Sequence, residues 1–325
     1  MACPGGLVTL SGRGLLGPDG RVPEVTVGGT GARVRAASPA RVAFLLPDEA
    51  EGGSAAVRLD TVAGETVLLE VAETLATGIH QVDNPVFDGQ GRLYATYSGS
   101  RGEQVPVSIF RITPGGARES FSSGIVNPTS MALGPDGTLY VSSRFEGTVY
   151  RLDAGGEASP YVTDVGVPCG LAFGPDGALF IGDRSGTVFR VDVGGRATTI
   201  ATLPASVAAY HLAVGPDGWI YVSVPTLGTY DHVYRVRDGY EPEVVTAAFG
   251  RPQGIAFDAD GVLHVVEALA GTSGLYRLSP GGPSELVASG KGLIGVAFGP
   301  AGDLVLASND TLYRFGRLPH GPARH

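Results

Sequence analysis

Residues able to do chemistry are few in this chain of 325 residues. His211 is the sharpest of them, because no equivalent segment elsewhere in the chain carries a histidine. An imidazole there would serve as a general acid or base, or as a metal ligand. Glu267 is the second catalytic candidate: it ends an apolar run and would point into the same region. Asp83, Asp183, Glu267 and Asp310 offer the carboxylate oxygens that a divalent cation needs. If they converge, calcium or zinc would be held there and a metal-bound water would be the nucleophile. Asn84, Asn127, Arg144, Arg184, Tyr210, His211, His232 and Gln253 supply further donors and acceptors, suited to a small polar ligand.

Several chemistries are excluded by what is missing. The sequence has no Gly-x-Ser-x-Gly, no P-loop and no His-Glu-x-x-His. His211 and His232 lie 21 residues apart, with no third histidine expected on their face to complete a zinc site. Cys3 and Cys169 are too few for a disulfide framework or a Cys-rich zinc site. The net charge of −9 argues against a nucleic-acid partner, since phosphate contacts need an excess of Lys and Arg. No apolar run reaches the 18 residues of a membrane-spanning helix. A small polar ligand or a protein partner remains, bound by a monomer. The start, Met1-Ala2-Cys3-Pro4-Gly5-Gly6, has neither the basic nor the apolar stretch of a secretory signal. A cytoplasmic location is expected, and a truncated N-terminus would leave an extracytoplasmic one open.

The elements that must position these residues are read from repetition. The chain holds 51 glycines and 23 prolines, yet 43% of it is hydrophobic and only 17% charged. A chain that turns this often and still buries a core is all-β. Turn glycines recur at Gly91, Gly137, Gly177, Gly218, Gly261 and Gly302, spaced by 46, 40, 41, 43 and 41 residues. Three of the turns read Gly-Pro-Asp-Gly, a strong hairpin signal. After each comes an aromatic-Arg-apolar strand, centred on Arg111, Arg151, Arg190, Arg235, Arg277 and Arg314, and in five repeats a Gly turn such as Pro280-Gly281-Gly282. Four strands per ~40–45 residues is a propeller blade, and six copies predict a six-bladed propeller.

The sixth repeat lacks a fourth strand. Residues 71–77 resemble the fourth strand of repeat five and are expected to close the ring, giving a propeller over 71–316 and a frayed tail over 317–325. Residues 1–70 break the period and predict a small β-sandwich. Distances from turn glycine to strand-three arginine are 20, 14, 13, 17, 16 and 12 residues, so repeats one, four and five carry the long loops. Features common to all blades, such as the arginines and the turn aspartates, are scaffold; the arginines are expected to pair between blades.

The stretches Pro4–Leu15, Val25–Gly29, Ser38–Val42 and Gly52–Val57 resemble the IPT/TIG domain, an immunoglobulin-like module whose usual first strand is absent here. The repeats, typified by Asn127–Val141, resemble NHL-repeat and gluconolactonase-like (regucalcin-type) propellers. That second resemblance implies a metal-dependent lactone hydrolase. Where the family carries its first metal ligand, a glutamate, this chain reads Asp83-Asn84-Pro85-Val86-Phe87. Where the family has Pro-Asn-Gly, it reads Pro168-Cys169-Gly170 or Pro252-Gln253-Gly254. Asp83 would replace the glutamate, but neither Cys169 nor Gln253 is a hard ligand, so the triad is not intact. The leading expectation is a binding protein with its ligand in the axial funnel. A metal-dependent lactone or ester hydrolase is the alternative, and a propeller lyase using His211 the third reading.

Overall fold

The computed structural model describes residues 1–317 apart from 63, 65, 246–248, 270 and 280–282. The expected turn at Pro280-Gly281-Gly282 and most of the tail lie outside these residues. Strands dominate, and the described residues hold no helix long and apolar enough to cross a membrane.

Six four-stranded antiparallel sheets follow one another around a ring. Their inner strands are Val86–Phe87, Pro128–Leu133, Pro168–Phe173, His211–Val214, Pro252–Phe257 and Leu293–Phe298. The inner strand turns into the second through the predicted Asp-Gly hairpins. Gly137 and Gly177 sit there at φ 77° and 79°, which an L side chain rarely adopts. The turn aspartate tightens each hairpin: Asp136 Oδ1 accepts the Thr138 N–H at 3.0 Å, and Asp176 Oδ1 accepts the Ala178 N–H at 3.1 Å. Blade six takes its outer strand from Glu73–Thr77, with Thr311 opposite Thr77 and Arg314 opposite Glu73. A sheet edge that would otherwise invite foreign strands is thereby covered. Val71 is not part of that closing strand; it pairs with Gly53.

The strand-three arginines pair within their own blades rather than between them. Arg111 reaches Glu119, Arg190 reaches Asp176 and Arg277 reaches Glu285 at 2.6–2.7 Å, while Arg314 meets Glu73 at 2.8 Å. Each acid sits on the adjacent strand or turn, within a side chain's length.

The N-terminal strands are hydrogen-bonded in one continuous series. Its order is Leu7–Ser11, Arg41–Leu45, Thr30–Ser38, Val25–Val27, Gly53–Leu59, Val67–Val71. Thr30–Ser38 is long enough to pair with Val25–Val27 at its start and Arg41–Leu45 beyond, which carries the sheet round onto itself. Val25, Val27, Val42, Phe44, Val57, Leu69 and Val71 share the resulting core. The first residues fasten this sheet to the ring. The Ala2 N–H donates to Glu70 O and the Cys3 N–H to Ser289 O of blade five. Cys3 is buried among Val266, Leu275 and Leu293, and that burial pushes its thiol pKa well up.

Candidate functional site at the propeller axis

Each inner strand brings two adjacent residues to the axis, five and four positions before the turn. Read round the ring they are Asp83-Asn84, Thr129-Ser130, Cys169-Gly170, Tyr210-His211, Gln253-Gly254 and Ile294-Gly295. Small residues fill most second places because neighbouring inner strands nearly touch. A Cβ on Gly170 would collide with the Tyr210 carbonyl, and one on Gly254 with Asn84 Oδ1. His211 breaks that rule, and room for its ring comes from opposite, where blade one begins with a crossing segment instead of a regular strand.

That segment, residues 79–85, runs from blade six toward the middle. The Gln81 N–H donates to Asn309 O, and Val82 packs against the cluster holding Cys169 and Tyr210. Asn84 ties it to two further blades, donating to Ile255 O and accepting the Val296 N–H, both at 2.9 Å. Between these anchors Asp83 Oδ1 bonds His211 Nδ1. The Asp83 carbonyl accepts Gln81 Nε2 at 2.8 Å, and Gln81 Oε1 accepts the Thr96 N–H at 2.8 Å. With Nδ1 committed to Asp83, His211 Nε2 faces Gln253 Oε1 at 3.4 Å. His211 is 0% exposed, Asp83 3% and Gln253 6%. An aspartate-oriented imidazole is the general-base half of a catalytic dyad. Here the second nitrogen is turned to an amide and the ring is sealed from solvent.

The four carboxylates proposed as metal ligands do not come together. Among the described residues no three His, Cys, Asp or Glu side chains form a cluster able to hold an ion. Asp83 is taken by His211. Asp183 accepts the Val167 N–H at 2.7 Å and the Ser185 hydroxyl. Glu267 accepts the N–H groups of Gly250, Arg251 and Leu269 at 2.6–2.8 Å. Asp183 and Glu267 both end the second strand of a blade, and each clamps the segment leading into that blade. Asp310 lies exposed on the blade-six hairpin and accepts the Thr311 hydroxyl at 3.1 Å. Glu267, proposed also as catalytic, therefore has its carboxylate filled by backbone donors.

Two proposed ligand contacts, Asn127 and Tyr210, are also structural. Asn127, 0% exposed, donates to Ser98 O and Ser100 O and accepts the Gly102 N–H, all within 2.6–2.7 Å, so it organises the long loop of blade one. Tyr210 is buried with its hydroxyl on Pro204 O, and burial raises its pKa. His232 stands against Tyr234 with ring centroids 6.1 Å apart, on the third-strand side of blade four and off the axis.

Arg144 and Arg184 remain. Each directly follows the second strand of its blade, Leu139–Ser143 and Leu179–Asp183. Arg184 reaches the segment leading into blade four, 3.4 Å from both Ser206 O and Val207 O. Arg144 is half-buried and has no ion pair among the described residues. Burial first, and then the Arg184 charge, lower its pKa. The same two guanidinium groups bear on Cys169, but burial outweighs them and pushes that thiol up to about 12, so it is no nucleophile. His80, half-buried and edge-on to Tyr97, has its pKa lowered by burial and then by Arg144. Sequence reasoning missed His80, Tyr97 and Gln81. The available signal was positional: the residue after the second strand is Tyr97, Arg144 and Arg184 in blades one to three, but Val224, Ala268 and Asn309 in blades four to six.

Comparison with solved structures supports a β-propeller. A putative gluconolactonase matches with a TM-score of 0.61 and 20% identity, over 77% of this chain and 94% of the other. An auxiliary nutrient binding protein from Bacteroides thetaiotaomicron matches with a TM-score of 0.61 and 14% identity, over 98% and 96%. A catalytically inactive virginiamycin B lyase from Staphylococcus aureus, solved with quinupristin, matches with a TM-score of 0.55 and 17% identity, over 95% and 98%. At such identities the likeness is one of fold. No protein-family model matches the chain, and no curated protein sequence does.

Proposed function

We propose that this chain is a ligand-binding propeller protein that takes a small polar molecule at the mouth of its axial funnel, above the crossing segment. The observation that carries this reading is the fate of the acids. Asp183 and Glu267 spend their oxygens on backbone N–H groups of their own blades, and Asp83 spends its own on His211. Groups used in this way hold the funnel's shape instead of acting on a substrate. Arg144 and Arg184, without an ion pair among the described residues, are polar groups left to meet a ligand. The solved neighbours that span nearly the whole chain include one described as a nutrient binding protein, in keeping with this reading. Residues 1–70 are read as an IPT/TIG-type module mounted on the side of the ring, and the protein as a monomer.

A second reading, a hydrolase or lyase, rests on the Asp83–His211 pair. It needs the crossing segment to shift so that His211 Nε2 is exposed. A panel of sugars, small acids and peptides separates the two when thermal unfolding and turnover are both followed. A ligand that binds only the native state at 100 times its Kd adds about 2.7 kcal/mol. Stabilisation without turnover is the expected result. Lactone or ester turnover that His211→Gln abolishes, with or without added calcium or zinc, would replace the binding reading.

A further inference from the structure

Blades one to three differ from the rest at one station. The residue after the second strand is Tyr97, Arg144 or Arg184, and blades two and three are direct neighbours, joined where the Leu171 N–H donates to Ser130 Oγ at 2.9 Å. The strand-three arginines are each matched to an acid of their own blade. Arg144 is not: it is half-buried, without an ion pair among the described residues, and its charged neighbour is another guanidinium. Arg184 has only the long contacts to Ser206 O and Val207 O. The acids nearest this corner are already engaged, Asp83 with His211 and Asp183 with Val167 and Ser185, while Glu103 accepts the Ser100 N–H at 2.7 Å within its own loop. Half-burying the Arg144 guanidinium beside the like charge of the exposed Arg184 is unfavourable, and an oxyanion placed between the two offsets the cost. Guanidinium forks fit carboxylate and phosphate oxygens two at a time.

We infer that the funnel mouth between blades two and three is an oxyanion site, in which Arg144 and Arg184 grip the carboxylate or phosphate group of the bound molecule and the His80–Tyr97 edge flanks it. This rests on the ligand-binding reading above and names the chemical class of the ligand.

The test is thermal unfolding of the full chain with inorganic phosphate or citrate, against chloride at equal ionic strength. A saturable rise in Tm with one of the two anions is expected, and which one gives it separates the phosphate source from the carboxylate source. Arg144→Gln and Arg184→Gln should each weaken the apparent affinity tenfold or more, while the rim variant Arg151→Gln leaves it unchanged. Two separate variants keep the test usable if one folds poorly. Absence of a saturable shift with either anion, or a shift that survives both substitutions, overturns the site. Saturation by a neutral sugar that ignores both substitutions also overturns it, yet leaves ligand binding standing.

Discussion

Two sets of side-chain pairs in this propeller, one at the rim and one at the axis, differ in kind. The rim pairs are repeated blade by blade and half in solvent: Arg151 and Asp136 side chains are 52% and 56% exposed. The axial pair, His211 with Asp83, occurs once, joins blades four and one across the ring, and is 0% and 4% exposed. A repeated exposed pair contributes little and is replaceable by its copies. A single buried pair cannot be compensated locally, so its loss is felt throughout the ring. Repetition thus marks scaffold, and departure from it marks the places where this ring was given something particular to hold.

The contrast is broken most directly at its strong end. His211→Ala leaves the Asp83 carboxylate buried without its partner, and stranding a buried charge costs about 3–5 kcal/mol. Urea unfolding of Asp83→Ala, His211→Ala and the double variant should show the double costing clearly less than the two singles added together. Additive losses would mean that the pair is no more than two separate packing residues.

Glu267 sharpens the comparison from between the extremes. Its oxygens hold three N–H groups, and a hydrogen bond to a charged acceptor contributes about 1.5–3 kcal/mol before non-additivity. Glu267→Ala is expected to cost about 2–4 kcal/mol. Amide exchange at Gly250, Arg251 and Leu269 should accelerate with it, while exchange in blades two and three stays protected. Asp183→Ala, with one backbone N–H at stake, should cost less. Equal losses would remove the clamp interpretation of both acids.

Much of the fold could be read in advance because it rests on local chemistry. An Asp-Gly pair between alternating apolar strands makes a hairpin wherever it stands, and six evenly spaced copies make a ring. The site was harder to read. His211 could be singled out, since a histidine among glycine and serine equivalents is a visible departure. Its partner is not legible in the sequence, because Asp83 reads as an oxygen donor for a cation until the crossing segment is seen to lay it against His211, 128 residues away. Glu267 and Asp183 looked functional because acids at a funnel usually face solvent. No sequence pattern announces that backbone N–H groups of a lead-in segment will fill a carboxylate. Arg144 and Arg184 read as polar contacts in the sequence, but that neither forms an ion pair among the described residues is a three-dimensional fact.

The weak end of the comparison gives the smallest effect. Arg151→Ala removes one rim pair with a 3.4 Å contact between two side chains more than half exposed. It should cost less than ~1 kcal/mol, with solvent and salt screening most of the attraction. It should also leave acid sensitivity in place. Asp136 has its pKa lowered chiefly by the Thr138 N–H and hydroxyl, and only after these by Arg151. A carboxylate with a depressed folded value stabilises the protein above its unfolded pKa of about 3.9, and that contribution is lost as pH falls through the folded value. The acid limb of an unfolding curve below about pH 4 should therefore keep its position in the variant. If Arg151→Ala destabilised the chain as much as His211→Ala, or shifted the acid limb upward, the rim pairs would be acting as a connected network, and repetition could no longer be read as dispensability.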